Sequence, residues 1–192
     1  VRPDAMINTV RYIAQTGRIR GGSTITMQLV RNAEEVTGVS KEQTPARKAR
    51  EMVAALQVER EFTKDEILEL YLNQVFFGGS AHGIEAAAQQ YFAKSCKEID
   101  LKEAATLAGI LPSPNAFRPD LHPEAAQVRR NLVLDRMLEH GFITQPEYDE
   151  ARATAVRGYV LTPQQRAEEL AKEDSKLRQR SEFLAHYFVR EL

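Results

Sequence analysis

The chain has 192 residues, of which 43% are hydrophobic and 28% charged, a balance typical of a folded globular domain with room for a small appendage. The net charge of -1 gives no overall attraction to nucleic acid, so any basic site must be local. Cys96 is the single cysteine, which excludes an internal disulfide, and no run of 18 apolar residues is present that could span a membrane.

The first part of the chain predicts two helices around a basic, glycine-containing loop. Apolar residues repeat at helical spacing over Asp4–Thr16, and Gly17 is a typical helix stop. After the loop, a second helix is expected over Thr24–Glu35, with Ser23 or Thr24 as its N-cap. A polar connector over 36–44 follows.

Two further helices follow with clear start signals. Thr44 is a typical N-cap, and Pro45 suits the first helical position, where its missing N–H costs nothing. This helix is predicted to bury an apolar stripe formed by Ala49, Met52, Val53 and Leu56. Thr63 and Glu66 form a capping box for the next helix, whose apolar stripe comprises Ile67, Leu68, Leu70 and Tyr71.

The second half continues the helical pattern after an aromatic, glycine-rich turn at Phe76–Gly79. Helices are predicted over Gly83–Phe92 and after the capping box of Asp100 and Glu103, the latter ending before Pro112. A longer helix over Ala125–His140, closed by Gly141, is predicted to bury Val128, Leu132, Val133, Met137 and Leu138.

The last helices start at Thr144, with Glu147 three residues later, and at Thr162-Pro163. No strand pattern and no internal repeat is evident along the chain. The sequence therefore predicts an all-α fold.

The stretch GGSTITMQL at 21–29 is the strongest candidate for chemistry. Paired glycines allow close approach of the backbone to a ligand, and a helix start at Ser23 or Thr24 offers free N–H groups to an anion such as phosphate. Arg18, Arg20 and Arg31 add positive charge around it. The alternative is an ordinary loop with a serine cap.

A second candidate is the charged cluster of Arg47, Lys48 and Glu51. Spacings of three and four residues place both cations beside the carboxylate on one helix face. The structural alternative is a solvated ion pair that stabilises the helix by about 0.3–0.5 kcal/mol. The functional interpretation is a carboxylate kept ionised in a site that handles phosphate.

A third charged group, Arg129, Arg130 and Arg136, is by itself typical of a solvated helix face. Together the segments resemble one family, the peptidoglycan glycosyltransferases (family 51) of class A penicillin-binding proteins and of monofunctional transglycosylases. The resemblance lies in GGSTITMQLVRN at 21–32, RKAREMVAALQVERE at 47–61, KDEILELYLNQVFFG at 64–78, HGIEAAAQQYFAKS at 82–95, LKEAATLAGILPSPNAFRP at 101–119 and RRNLVLDRM at 129–137.

The resemblance implies a lysozyme-like, mostly helical fold and polymerisation of lipid II into β-1,4 glycan strands by an inverting reaction. The acceptor 4-OH attacks C1 of the growing chain, and undecaprenyl pyrophosphate leaves. Glu51 falls on the glutamate that assists this departure, directly or through a divalent cation such as Mg²⁺ or Mn²⁺. No metal ligand is predicted.

The same resemblance places six residues at substrate-binding positions: Ser23, Gln28, Arg31, Arg47, Lys48 and Arg129. We expect these six to converge on one groove that holds the donor diphosphate. Met27 and His82 depart from the residues common in the family, which are Gln and Tyr. Both substitutions could alter contacts at the groove.

The family's first motif, which carries the general-base glutamate, is not found in these 192 residues. Glu51 cannot replace it, because inversion places nucleophile activation and departure on opposite faces of the sugar. The chain is therefore expected to be an N-terminally truncated glycosyltransferase domain that binds donor weakly and does not polymerise it. We predict this domain over 1–155 and, over 156–192, a helical linker toward a transpeptidase domain in the parent chain.

The resemblance further implies a location at the outer face of the cytoplasmic membrane, with an N-terminal anchor outside this sequence. The implied partners are lipid II, the growing glycan strand and the membrane surface, with no nucleic acid. The segment 36–44 and the turn Phe76–Gly79 are expected to present apolar surface to lipid.

Three other functions stay open at this point. The chain could be a catalytically incomplete module that binds lipid II or moenomycin. A lytic enzyme that cleaves glycan is disfavoured, because such enzymes need no diphosphate site. A basic helical nucleic-acid binder is more distant, since the charge is balanced and aromatic residues do not alternate with basic ones.

Overall fold

The computed structural model describes residues 23–33 and 44–190, with all their side chains except those at 173 and 180–190. Eight α-helices and one short 3-10 helix lie in this part of the chain, and no strand is present there apart from an isolated bridge between Phe76 and His82. The all-α prediction is confirmed. The predicted helix Asp4–Thr16, residues 17–22 of the predicted loop 17–23 and residues 36–43 of the predicted connector 36–44 lie outside the described residues.

The helices follow each other in the predicted order. They are α1 Ile25–Asn32, α2 Pro45–Glu61, α3 Lys64–Gln74, α4 Ile84–Phe92, α5 Leu101–Ile110, α6 Pro123–Glu139, α7 Gln145–Ala153, the 3-10 helix Val156–Gly158 and α8 Pro163–Arg190. Within the described range none of them is both long and apolar enough to cross a membrane.

Local sequence signals explain most of the helix starts. Thr24 and Thr44 accept hydrogen bonds at the N-termini of α1 and α2, from the backbone N–H groups of Met27 and Arg47. The three predicted capping boxes form at α3, α5 and α7, and Gly141 ends α6 with a φ of 70°. These predictions succeed because a cap depends on residues only three positions apart.

The described residues form two compact units, the first comprising 23–33, 44–76 and His82–Ile84, and the second comprising the other described residues. In the first unit, α1 packs on α2 and α3. Its apolar cluster of Met27, Val30 and Ala55 is extended by the half-buried side chains of Met52, Ala54 and Val58.

The second unit is built on the antiparallel pair of α5 and α6, with α7 packed against both. Ala105, Leu134, Ile143 and Ala151 form its buried cluster. Val156 and Val160 are also buried, and the N–H of Leu161 donates to the carbonyl of Tyr91 at 2.8 Å. Residues just beyond position 155 thus pack into this unit, whereas the assignment of 156–192 as a linker stays a prediction.

The predicted apolar stripe of α2 is wrong. Ala49 is exposed, Val53 and Leu56 are 58% and 42% exposed, and Met52 is only half-buried. The buried face instead carries Ala55 and the charged residues Arg47, Lys48 and Glu51. The pattern failed because ion pairing replaced apolar burial on this face of the helix.

The predicted stripe of α6 is also largely wrong. Val128 and Leu132 are exposed, and Val133, Met137 and Leu138 are half-buried, whereas the buried residues of the helix are Ala126, Arg130 and Leu134. An arginine occupies the inward position because backbone carbonyls from a later segment accept its hydrogen bonds.

The expectation that the turn Phe76–Gly79 exposes aromatic surface is wrong for Phe77, which is 1% exposed. Phe76 is half-buried and its ring lies 4.9 Å from that of His82. The turn is tight because Gly78 and Gly79 both adopt positive φ and the Phe77 N–H donates to the Ala81 carbonyl.

Candidate functional site

The first unit buries a group of three charged side chains on α2. Arg47, Lys48 and Glu51 are 5%, 3% and 0% exposed. One carboxylate oxygen of Glu51 lies 3.0 Å from Nη1 of Arg47, and the other lies 2.7 Å from Nζ of Lys48. The interpretation as a solvated ion pair is therefore wrong, since all three groups have left water.

Ser23 joins this group from the residue that precedes the N-cap of α1. Its Oγ accepts a hydrogen bond of 2.6 Å from Lys48 Nζ, which also donates to Glu51. Because Thr24 caps the helix, the Ser23 hydroxyl is free to bind the lysine. Two segments separated by 25 residues thus meet at one ammonium group.

The local start of α2 brings its cations into place. The Thr44 side chain accepts from the Arg47 N–H at 3.1 Å, so the helix begins immediately before Arg47 and Lys48. From there, one turn of helix places Glu51 beside both cations. The start signal in the sequence therefore determines the ion arrangement.

The charge of the group is not balanced. Two cations face one carboxylate, and Arg31 contributes a further positive field at Lys48. Burial lowers the pKa of Lys48 from its usual value, opposed by the hydrogen bond and charge of Glu51. The Nε of Arg47 is buried and has no hydrogen-bond partner among the described residues. An excess of buried positive charge with an unused donor favours binding of an anion.

Gln28 lies on α1, and its side chain is hydrogen-bonded to Tyr71. The sequence pattern predicted Tyr71 only as part of the apolar stripe of α3. The hydroxyl of Tyr71, on α3, donates to Gln28 Oε1 at 3.2 Å. Burial raises the pKa of Tyr71, and the nearby charge of Arg31 opposes this shift. The one signal in the sequence was a phenol among aliphatic residues, because a buried hydroxyl usually has a partner.

Arg129 belongs to the second unit. Its Nε donates to the carbonyl of Gly109 at 3.0 Å, and its guanidinium carbon lies 5.3 Å from the ring centre of Phe117. The structure thus brings together Ser23, Arg47, Lys48 and Glu51, with Arg31 electrostatically coupled to Lys48, and pairs Gln28 with Tyr71. The convergence of Arg129 with these residues stays a prediction.

The donor set around Glu51 does not suit a divalent cation. Each oxygen of Glu51 accepts a hydrogen bond from a buried cation, so Mg²⁺ would have to bind beside Arg47 and Lys48 or displace them. Among the residues described, no group of three or more His, Cys, Asp or Glu side chains is placed to hold a metal ion. Binding of a divalent cation at Glu51 would therefore require Arg47 or Lys48 to move.

Fold and site together define a helical protein whose first unit holds a buried cationic site suited to a phosphate-bearing ligand. A family model described as Transglycosylase matches residues 1–138, and the chain belongs to this family. The family resemblance of the sequence motifs is therefore confirmed.

Several relatives are penicillin-binding proteins 1A. The protein of Aquifex aeolicus is 47% identical over 152 residues, which cover 79% of this chain and 20% of the relative. That of Pseudomonas aeruginosa is 40% identical, covering 88% and 20%, and that of Escherichia coli is 43% identical, covering 76% and 17%. The chain thus spans about a fifth of the length of these relatives.

A solved structure of penicillin-binding protein 1A from Haemophilus influenzae matches 68% of this chain and 16% of that chain, with 33% sequence identity and a TM-score of 0.44.

Proposed function

We propose that this chain belongs to a peptidoglycan glycosyltransferase domain, and that the full-length protein polymerises lipid II into β-1,4 glycan strands and releases undecaprenyl pyrophosphate with inversion. The observation that carries the proposal is the buried group of Lys48, Arg47 and Glu51, joined to Ser23 at the start of α1. Membership of the transglycosylase family supports it.

In the proposed reaction, the acceptor 4-OH oxygen forms a bond to C1 of the donor sugar while the bond from C1 to the diphosphate oxygen breaks. Negative charge develops on that leaving oxygen. Lys48 and Arg47 are preorganised cations in a water-poor site, where such charge is stabilised strongly. Ser23 and Gln28 supply neutral polar contacts at α1, and Arg31 adds long-range positive charge.

Glu51 has the role of holding the two cations in place. Its two oxygens accept hydrogen bonds from Arg47 and Lys48 and its side chain is buried, so Glu51 is directed toward the cations rather than toward the 4-OH. That proton must pass to a base on the opposite face of the sugar, as inversion requires. Glu51 therefore assists departure without acting as the general base.

The proposal extends to location and partners. A donor with an undecaprenyl chain requires the site to work at a membrane surface, which we propose is the outer face of the cytoplasmic membrane. The growing glycan strand is the second substrate. A transpeptidase domain in the parent chain is a further proposal, supported by relatives about five times longer than the aligned segment.

The function can be tested in the full-length protein with Lys48→Met and the control Lys64→Met. Lys64 lies in the same unit, but its side chain is 73% exposed. We expect Lys48→Met to lower the rate of polymer formation from lipid II by at least about 10²-fold, the scale of losing one electrostatic stabiliser. Lys64→Met should keep the wild-type rate.

Two results would change the proposal. Normal polymer formation by Lys48→Met would contradict the assignment of the site. Tight lipid II binding without release of undecaprenyl pyrophosphate, in wild-type protein, would favour the binding module over the polymerase.

A further inference from the structure

The second unit contains a fully buried arginine without a carboxylate partner. Arg130 on α6 is 0% exposed, and within the described residues no acidic side chain forms an ion pair with it. Its five N–H donors make five hydrogen bonds to neutral oxygens. The acceptors are the Asn131 side chain, the Tyr159 hydroxyl and the carbonyls of Arg152 and Thr154.

These bonds fix α6 against the end of α7. Arg152 and Thr154 lie at the C-terminus of α7, where unpaired carbonyls and the helix dipole favour a cation. Tyr159 also shares a 2.7 Å hydrogen bond with Thr106 of α5. The side chain of Arg130 therefore sets the rotation of α6 about its own axis relative to both neighbours.

On its other side α6 contacts α5 at backbone distance. A Cβ added at Gly109 would lie 2.9 Å from the carbonyl carbon of Arg129 and 3.0 Å from the backbone nitrogen of Arg130. Only glycine allows this approach. The short distance lets the Gly109 carbonyl accept from Arg129 Nε at 3.0 Å.

Arg129 is thereby held by one of its three guanidinium nitrogens. Nε binds Gly109, and the guanidinium lies over the Phe117 ring. The two terminal nitrogens make no hydrogen bond within the part of the chain that the structure describes. They form a fork, the geometry that matches two phosphate oxygens.

We propose that Arg130 and Gly109 are positioning residues for Arg129. The side chains of consecutive helix residues are rotated by about 100° about the helix axis. Fixing the Arg130 side chain in the interior therefore also fixes the direction in which the Arg129 side chain leaves the helix. Gly109 then fixes the guanidinium by its Nε and leaves the fork free to bind an oxyanion of the substrate. This inference rests on the proposed function, since Arg129 would bind an oxyanion of the same substrate.

The test measures kcat and KM for lipid II in the full-length protein. Arg130→Lys keeps the charge, but an ammonium group has three N–H donors and cannot make five hydrogen bonds. Gly109→Ala disturbs Arg129 through the contact of α6 with α5. For each we expect a rise in KM of about tenfold with kcat changed less than about twofold. Arg136→Lys is the matched control, because Arg136 is exposed on the same helix and its one ion pair among the described residues is with Glu139.

The same changes are then made in an Arg129→Ala background. If Arg130 acts through Arg129, Arg130→Lys gives no further rise in KM there. An equal rise with and without Arg129 would overturn the inference, as would a fall in kcat at constant KM. Should Arg130→Lys fail to fold in a thermal melt, Gly109→Ala decides by the same comparison.

The outcome is separable from that of the proposed function. If Lys48→Met abolishes turnover but Arg129→Ala has a normal KM, the proposed function stands and this inference fails. If neither variant changes turnover, the proposed function itself is contradicted.

Discussion

Helices α2 and α6 resemble each other in outline and differ in how they bury charge. Each has 17 residues and starts with proline, and each turns charged side chains inward where the sequence pattern indicated an apolar stripe. In α2, Arg47 and Lys48 surround the carboxylate of Glu51. In α6, Arg130 is surrounded by neutral oxygens.

The difference separates a site from a structural anchor. Every N–H of Arg130 already has an acceptor, so the residue offers nothing to a ligand. In α2 the cations outnumber the carboxylate, and Arg47 Nε has no hydrogen-bond partner in the part of the chain that the structure describes, so an anion would complete the arrangement. Burial of charge alone does not mark a binding site; what marks it is an unsatisfied donor beside an excess of charge.

The sharpest test of this comparison is Glu51→Gln in the full-length protein. We expect kcat to fall at least about 10²-fold, since the two cations lose the anion that orients them. The free energy of unfolding should also fall by about 3–5 kcal/mol, because two buried cations are left uncompensated. Steady-state kinetics and urea denaturation measure the two effects.

The control for this change is Glu69→Gln, an exposed carboxylate on α3 in the same unit. It should alter neither quantity. A Glu51→Gln protein with normal turnover would place the buried ion group of α2 in the same structural category as Arg130.

The anchor itself is tested by Arg130→Met, a change of similar length without charge. The carbonyls of Arg152 and Thr154 and the Tyr159 hydroxyl would each lose a hydrogen bond from a charged group, and such bonds contribute about 1.5–3 kcal/mol each. We expect a loss of about 3 kcal/mol in the free energy of unfolding, measured by denaturant titration. A neutral outcome would show that water or rearrangement replaces the arginine and that α6 needs no anchor.

The close approach of α5 and α6 gives a smaller expected effect. Gly109→Ala should destabilise the protein by about 1–3 kcal/mol, since backbone atoms at 2.9 Å and 3.0 Å from the new Cβ must move apart. Gly158→Ala is the control, because its nearest neighbour would be a methyl group at 3.6 Å. Equal melting temperatures of the two variants would contradict the close packing.

Helices α2 and α6 should also respond differently to alkaline pH, and this is the smallest expected effect of the four tests. Burial lowers the pKa of Lys48 below its usual 10.5. Between the lowered pKa and 10.5 the unfolded chain holds the proton and the folded chain does not, so the free energy of unfolding rises with pH. This contribution is complete above 10.5 and is lost as pH falls through the folded-state pKa.

Denaturation of wild-type protein and Lys48→Met over this pH window measures the effect. We expect the difference, wild type minus variant, to increase as pH rises. The corresponding difference for Arg130→Met is the comparison for α6, and we expect it to stay flat over the same window. A flat curve for Lys48→Met would mean that burial does not shift this lysine.

Local features of the fold were predictable from sequence, and long-range ones were not. The caps at Thr44 and Thr63 depend on neighbours three residues away, so the pattern contains them. The burial of Arg130 depends on carbonyls more than 20 residues later, which no periodicity reveals. Gly109, a glycine inside an alanine-rich helix, was the one available sign of close helix packing.

The candidate site divides in the same way. The resemblance supplied Ser23, Lys48 and Glu51, and the spacing on α2 explained the ion pairs. The contact between Ser23 and Lys48 and the partnership of Tyr71 with Gln28 needed the packing of α1 against α2 and α3. Residue types thus indicated which groups take part, while tertiary structure decided which of them touch.

The pairing of α5 with α6 has a consequence for the order of folding. The two helices follow each other in the chain, separated only by residues 111–122. Their contact is the most extensive between any two helices described. Contacts close in sequence cost little chain entropy to form. We expect this hairpin to assemble early and its central amides to be the last to exchange with deuterium. Arg129 would then acquire its direction before the rest of the second unit is complete.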